Sequence, residues 1–234
     1  MAWFEVNKKR LLVAAIAIAV VGAAFALYRV RINATEQAGW SALFKVARPG
    51  SQSDQEATAP VQAYLDVATA HAETAAGAQA RLLAARALFE QGKYPEARAQ
   101  FESFVRQYGE SEFVGTAALG VAASLDSENK TNEALAAYQG VVAQNPNTAV
   151  SSQAKLAIGR IYESRNDPLQ ALKLYEELAR PSAQTVWGAD AAMRREYLLQ
   201  RHPELAATNP PVPVPAMGTN VVRVLPINPP PAKQ

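Results

Sequence analysis

The chain has 234 residues, of which 49% are apolar, 15 are Pro and none is Cys. The lack of Cys excludes disulfides, thiolate metal sites, cysteine nucleophiles and a lipidated cysteine anchor. Residues 1–48 carry seven Lys or Arg against two acidic residues, but residues 49–234 carry sixteen against nineteen, so most of the chain lacks the basic surface that nucleic-acid binding requires.

The first predicted element is an apolar segment, LLVAAIAIAVVGAAFALY, which covers Leu11–Tyr28 without a charged residue. At about 1.5 Å per residue, a helix of this length nearly spans a hydrocarbon core of roughly 30 Å. Basic residues flank it on both sides, namely Lys8, Lys9, Arg10, Arg29 and Arg31. We therefore expect a cytoplasmic tail at 1–10, a single transmembrane helix at 11–28, and a linking helix and loop at 29–59, with the helix around Trp40 to Val46.

Two alternatives to a membrane anchor stay open for this segment. A cleaved signal peptide also carries an apolar core that ends in small residues, a pattern that Ala24 and Ala26 match on either side of Phe25. A buried core helix is the second alternative. If the segment is an anchor, its compact basic cluster favours a cytoplasmic N-terminus. That orientation predicts a single-pass protein of the bacterial inner membrane with a periplasmic C-terminal domain.

A step of 37 residues relates three successive segments that follow the loop. Ala97 recurs as Ala134 and Ala171, and the aromatic position recurs as Phe101, Tyr138 and Tyr175. Fixed-period similarity over about 20 to 50 residues is typical of stacked supersecondary units. The units are predicted at about 78–109, 115–146 and 152–181, within a solenoid at 60–202.

Each unit contains two segments with the spacing of an amphipathic helix. The residues that separate the paired helices are Gly92, Asn129, and Asn166 or Asp167, and those that follow the pairs are Gly109, Pro146 and Pro181. Glycine, asparagine and proline at such positions are helix-ending signals. The predicted fold class is therefore all-α, a solenoid of helical hairpins behind one transmembrane helix.

This pattern resembles the tetratricopeptide repeat. In that family the first helix carries a small residue where it meets the second, and Ala85, Ala122 and Gly159 match this position. The second helix carries a small residue, matched by Ala97 and its two counterparts, and an aromatic residue, matched by Phe101 and its two counterparts. Two features depart from the family: the period is 37 instead of about 34, and Ala118 and Lys155 stand where the first helix normally carries a large aromatic residue. The resemblance implies a binding module for proteins or peptides.

Both ends of the solenoid have a predicted cap. The N-terminal cap is expected at 60–73, with Tyr64 one step of 37 before Phe101. The C-terminal cap is expected as a helix at 185–202, with Trp187, Met193 and Tyr197 facing back onto the last pair. From residue 203 onward, nine of thirty-two residues are Pro, which predicts a disordered or polyproline tail at 203–234 with no helix. The tail is either an unstructured end or a Pro-rich ligand, and its VVRVLPI run could add as an edge strand to a partner.

The order of tail, membrane helix, linking helix and degenerate repeats resembles the YfgM-like ancillary proteins of the Sec translocon. The repeats alone also resemble periplasmic and outer-membrane-assembly tetratricopeptide proteins. The first resemblance implies Sec translocon components or periplasmic chaperones as partners. The second implies a periplasmic scaffold for envelope or outer-membrane assembly or cell division, exported with a cleaved signal peptide.

The sequence offers no residue set for catalysis. The two histidines, His71 and His202, have no second ligand at metal-binding spacing. Glu176 and Glu177 are adjacent, and adjacent helical residues point about 100° apart, so a catalytic pair is not expected. We predict that the protein is not an enzyme and that it uses no metal, cofactor or small-molecule substrate.

The predicted binding surface is instead a groove lined by the first helix of each unit. Its candidate residues are Leu82, Arg86, Phe89, Leu119, Ala123, Leu156, Arg160 and Glu163. The leucines replace the polar clamp that some tetratricopeptide domains use for a C-terminal carboxylate. We therefore expect apolar contacts to a protein or peptide partner, with Arg86 and Arg160 as anchors.

Overall fold

The structure, a computed structural model, describes residues 2–47, 61–182 and 185–208. These ranges contain ten α-helices and no strand: α1 (Ala2–Ala47), α2 (Val61–Ala70), α3 (Ala75–Glu90), α4 (Tyr94–Gln107), α5 (Val114–Ser127), α6 (Thr131–Gln144), α7 (Ala149–Ser164), α8 (Pro168–Ser182), α9 (Val186–Arg201) and α10 (Glu204–Thr208). The all-α prediction is confirmed. The pairs α3–α4, α5–α6 and α7–α8 are the three expected hairpins.

The step of 37 residues is visible in the burial of side chains. Ala97, Ala134 and Ala171 are fully buried, and the aromatic residues that follow each of them are buried too. The first-helix small residues, Ala85, Ala122 and Gly159, are also buried. The small side chains let the two helices of each hairpin approach closely, and the aromatic rings fill the space beside them.

The turns inside the hairpins repeat at the same step. Gly92, Asn129 and Asn166 have φ angles of 75°, 61° and 57°, the left-handed conformation that often ends a helix. The next residue donates its backbone N–H to the carbonyl five positions back, at 3.0 Å in the first turn and 2.9 Å in the other two. Glycine and asparagine suit this position because they adopt a positive φ at low cost. The structure thus selects Asn166, and not Asp167, as the third turn residue.

Threonine caps show that the repeat continues past the third hairpin. Thr74, Thr148 and Thr185 accept the backbone N–H three residues on, at 3.0, 3.1 and 3.1 Å. Because Thr148 and Thr185 are 37 residues apart, α9 is the first helix of a fourth unit. The five-residue α10 stands where the second helix of that unit would begin.

Helix α1 is continuous from Ala2 to Ala47, so the predicted tail, membrane segment and linking helix form one element. Its last third packs on α2 and α3. Glu36 Oε1 accepts the Ala75 N–H at 3.0 Å, at the start of α3. Leu43 is buried in a cluster with Tyr64 and Val67 of α2. The solenoid is therefore attached to α1 by packed contacts as well as by the chain.

Two predictions about the C-terminal part are wrong. The buried residues of α9 are Gly188, Ala191 and Leu198. Met193 and Tyr197, which were expected to face the preceding pair, point to solvent instead. Of the three predicted residues, only Trp187 packs on that pair. The stretch 204–208 contains no Pro and forms α10, although the tail was expected to begin at 203 without a helix. The rest of the tail and residues 48–60 lie outside the described residues.

Gly159→Ala should destabilise the solenoid because its backbone lies against the Tyr175 ring. An added Cβ would come within 2.8 Å of Tyr175 Cζ, and that ring is fully buried. We expect the free energy of unfolding to fall by about 1–3 kcal/mol, as it does when a protein core is overpacked. Gly140→Ala is the control, since its added Cβ meets no atom within 4 Å, and it should gain about 0.5–1 kcal/mol from helix propensity. Thermal unfolding followed by circular dichroism measures both, and a G159A protein as stable as G140A would contradict the packing.

Candidate functional site

The first helices of successive units lie side by side, with contacts of α3 to α5, α5 to α7 and α7 to α9. Together they form one surface, the first-helix face. Arg86, Ala123 and Arg160 are one step of 37 apart and so occupy equivalent places on it. Arg86 and Arg160 are exposed, and Ala123 is half-buried. The two predicted Arg anchors therefore lie in one row on the same side of the solenoid.

The leucine row beside them is not uniform. Leu82 and Leu119 are half-buried and pack against the cores of the first and second hairpins. Leu156 is only 3% exposed, in a cluster with Ala171 and Tyr175. Its prediction as a groove residue is wrong, because residues of α8 and α9 cover it.

The ends of the first helices differ in how their predicted residues are engaged. Phe89 is half-buried, and its ring lies edge-on to that of Tyr94 with centroids 5.1 Å apart. Arg86 Nε donates to Glu90 Oε1 at 2.8 Å, in an exposed i,i+4 pair. Arg160 forms no hydrogen bond or ion pair with the described residues. Of the two cations, Arg160 is therefore the more available for a contact with a partner.

The Glu163 side chain makes its contacts within the protein, between neighbouring helices. Its carboxylate accepts the hydroxyl hydrogen of Tyr175 and lies 3.6 Å from Arg194 Nη1. Burial raises the pKa of Tyr175, and the bond to Glu163 raises it further. This carboxylate therefore ties together α7, α8 and α9, and a ligand would have to compete with both internal partners.

Two grooves that were not predicted from the sequence lie on the other side of the solenoid. The first has a volume of about 360 Å³ and is lined by α4, α5 and α6, with Val105, Val121 and Ala137 among its walls. The second has a volume of about 430 Å³ and is lined by α6, α7 and α8, with Val142, Ile158 and Leu174 at the equivalent places. On α5, Val121 and Leu119 are two residues apart and point about 200° away from each other, so the two surfaces oppose each other.

The two grooves are one feature repeated at the step of 37. Each of the six wall residues named above has its counterpart 37 positions along the chain. The same period that identified the helices could have located these grooves, since apolar residues recur on the face between successive second helices. The predicted binding surface included the first helices alone, so that signal was not used.

One position distinguishes the units along this grooved face. It carries Arg81 in the first unit, Ala118 in the second and Lys155 in the third. Arg81 Nη1 donates to Ser103 Oγ at 3.1 Å, and Lys155 Nζ lies 2.5 Å from Glu177 Oε1. Ala118 has no long side chain to reach across. At this position the first groove therefore has the uncharged Ala118, where the second groove has Lys155 paired with Glu177.

An ion-pair network borders the first groove and joins two units. Arg98 on α4 pairs with Glu128 at the end of α5 at 2.8 Å, and Lys130 pairs with the same carboxylate at 2.6 Å. Arg98 also pairs with Glu102, which lines the groove, at 3.0 Å. The bond from Arg98, followed by that from Lys130, holds the pKa of Glu128 below its ordinary value.

The two histidines are not arranged as a metal site. His71 follows α2, and His202 lies 3.0 Å from Glu204. Within residues 2–47, 61–182 and 185–208, no group of three His, Asp or Glu side chains is placed to hold a metal ion. The chemistry that these residues do offer is surface recognition through apolar walls, exposed Arg side chains and ion pairs at the groove edges.

Comparison with known proteins agrees with this architecture. A family model described as a tetratricopeptide repeat-like domain matches residues 1–136, and a tetratricopeptide repeat model matches residues 122–184. No curated protein sequence matches the chain.

Similar solved structures include nearly identical TPR-like repeats from Podosopora anserina, assigned to a kinesin light chain. They share 15% identity with this chain at a TM-score of 0.47 and cover 77% of it and 98% of their own length. A single-residue variant of those repeats has 16% identity and a TM-score of 0.48, covering 76% of this chain and 95% of its own. The MamA protein has 17% identity and a TM-score of 0.47, covering 77% of this chain and 98% of its own.

Glu128→Gln should weaken the junction between the first two units. The Glu128 side chain is 8% exposed and paired with two cations, so we expect a loss of about 1 kcal/mol at neutral pH. Glu177→Gln is the matched control, because Glu177 is 58% exposed and exposed pairs contribute about 0–1 kcal/mol, so its loss of stability should be the smaller of the two.

The effect of Glu128→Gln should also depend on pH. The pKa of Glu128 is lowered in the folded state. Its contribution to the free energy of unfolding is therefore fully present above the ordinary carboxyl pKa and is lost as the pH falls through the folded-state pKa. Denaturant unfolding of both variants and the parent at neutral and acidic pH measures this. A pH-independent difference, or equal effects of the two substitutions, would show that the network does not act as described.

Proposed function

The chain belongs to the tetratricopeptide repeat-like domain family, and we propose that it is a membrane-anchored adaptor that binds protein or peptide partners outside the cytoplasm. Tetratricopeptide domains mediate protein–protein interactions, and the described surfaces suit that role. The first-helix face offers the exposed Arg86 and Arg160, and the opposite side offers two apolar grooves.

Helix α1 is the observation that carries the anchoring part of the proposal. It contains a segment that is long and apolar enough to cross a membrane, and none of that segment is covered by the rest of the protein. Large apolar side chains such as Val21, Phe25 and Leu27 are exposed there. Uncovered apolar surface of this extent is unfavourable in water, but a bilayer would bury it. A signal sequence near the N-terminus meets the same criterion.

The contacts at the end of α1 favour an anchor that also orients the solenoid. Glu36, Gly39 and Leu43 pack on α2 and α3, between about 12 and 22 Å along the helix from Tyr28. A helix that both crosses the bilayer and packs on the repeats would hold the grooves at a set distance from the membrane. With the N-terminus in the cytoplasm, those surfaces would face the periplasm.

The resemblance of the whole arrangement to YfgM-like proteins supports a more specific role beside the Sec translocon. In that role the solenoid would contact emerging polypeptides or the chaperones that hold them. The competing role, a soluble periplasmic scaffold for envelope assembly, requires cleavage near Ala26. The helix from Leu27 to Ala47 would then remain packed on the domain with its apolar residues exposed, and for that reason we favour the anchor.

Arg86→Ala/Arg160→Ala should lower partner capture if the first-helix face is the binding surface. Full-length protein is crosslinked in membranes, purified, and its partners are quantified by mass spectrometry. We expect a several-fold loss, because exposed Arg side chains commonly anchor interfaces. Arg106→Ala/Lys173→Ala is the charge-matched control, since both side chains are exposed and each lines one of the two grooves on the opposite side.

The outcomes separate the proposals. Loss of partner capture with R106A/K173A and not with R86A/R160A would move binding to the grooves and overturn the first-helix assignment. Recovery without any Sec component or periplasmic chaperone would remove the translocon role and leave the adaptor. No specific protein partner in any sample would overturn the adaptor itself.

A further inference from the structure

The outward face of α9 is the exposed apolar surface that the architecture explains least. Val186, Met193 and Tyr197 are 77%, 67% and 51% exposed, and their spacing of seven and four residues places them on one side of the helix. The last helix of a solenoid normally presents a polar outer face. Here the terminal face is apolar.

Comparison with the third unit shows which contacts are absent from this face of α9. Met193 lies one step of 37 after Leu156, which is buried by residues of α8 and α9. In the fourth unit, the second helix stops at Thr208, after five residues. The following residues include Pro210, Pro211 and Pro213, which cannot continue a helix. The face of α9 is therefore exposed because its unit is incomplete.

We propose that a segment of the chain's own C-terminal tail, Val221–Ile227, binds this face of α9 and caps the solenoid. The segment, VVRVLPI, contains five apolar residues besides Pro. Its single charge, on Arg223, can pair with Glu196, which is exposed on α9 next to Tyr197 and forms no ion pair with the described residues. Arg201, which donates to the Tyr197 hydroxyl at 3.0 Å, lies at the opposite edge of the face.

The tail is long enough to reach the exposed face of α9. Leu205 of α10 packs on the cluster that contains Ala191 and Leu198, so the chain leaves α10 beside α9. Twelve residues separate Thr208 from Val221, and extended chain spans up to about 3.3 Å per residue, or roughly 40 Å. Helix α9, with 16 residues, is about 24 Å long. The segment can therefore lie anywhere along the face.

A second copy is the less suitable occupant. A face about 24 Å long and one helix wide, roughly 10 Å, offers about 240 Å², whereas a stable interface buries about 800 Å² per partner. A tethered segment needs far less, because a short linker holds it near its site at a concentration on the order of millimolar. The area thus favours the tail.

Photo-crosslinking tests this directly on the full-length protein in lipid nanodiscs. Benzoylphenylalanine at Met193 should form an intramolecular crosslink to residues 221–227, identified by mass spectrometry, and the same probe at the exposed Phe113 should not. A crosslink between two copies, at twice the mass, would replace the tail by a second chain and overturn the proposal. The absence of any crosslink to the tail would also overturn it.

Oxidation of the native Met193 side chain gives an independent measurement without the probe. Hydrogen peroxide should oxidise it about threefold more slowly in the full chain than in a chain that ends at Thr208, the protection expected when about two thirds of the tails are bound. V222D/L225D should restore the fast rate. T219D/N220D, which adds the same charge just outside the segment, should not. Equal rates in the full and shortened chains would contradict the proposal.

Discussion

Close packing of two helices at small residues is the constraint on which the whole solenoid depends. Ala97, Ala134 and Ala171 are fully buried where the paired helices meet, and a larger side chain at any of them would force the helices apart. An aromatic ring four residues on fills the adjacent space in each unit. Because these contacts recur every 37 residues, the turns and caps recur with them, and so do the surfaces on either side. The candidate binding surfaces of this protein are therefore consequences of its packing period.

The second element that shapes function is the continuity of α1. A flexible linker would leave the solenoid free to sample many positions relative to the membrane. The contacts of Glu36, Gly39 and Leu43 instead fasten the helix to α2 and α3. In the proposed adaptor, the same helix that enters the bilayer also fixes where the first-helix face and the grooves are presented.

Sequence patterns predicted the fold well because the repeat is periodic in both composition and burial. The hairpin limits, the turn at Gly92 and the buried Phe101 series all follow from spacing. The orientation of α9 did not, because Met193 and Tyr197 look like core residues until α10, the second helix of the fourth unit, is found to have only five residues. Leu156 was misassigned for the related reason that burial by a neighbouring unit depends on tertiary contacts. The grooves were missed although their wall residues repeat at the same step, and which surface binds a partner stays a prediction.

Hydrogen exchange along α1 tests most directly the central claim that one unbroken, retained helix joins the membrane segment to the solenoid. The measurement uses full-length protein purified from membranes into nanodiscs and follows peptides that cover residues 11–47 by mass spectrometry. We expect all of these peptides to be present and protection to continue without a gap from Tyr28 to Ala47, because helical amides exchange slowly. Absence of the peptides before Ala26 would show cleavage, and rapid exchange between Arg29 and Thr35 would show a flexible joint. Either result would contradict the claim.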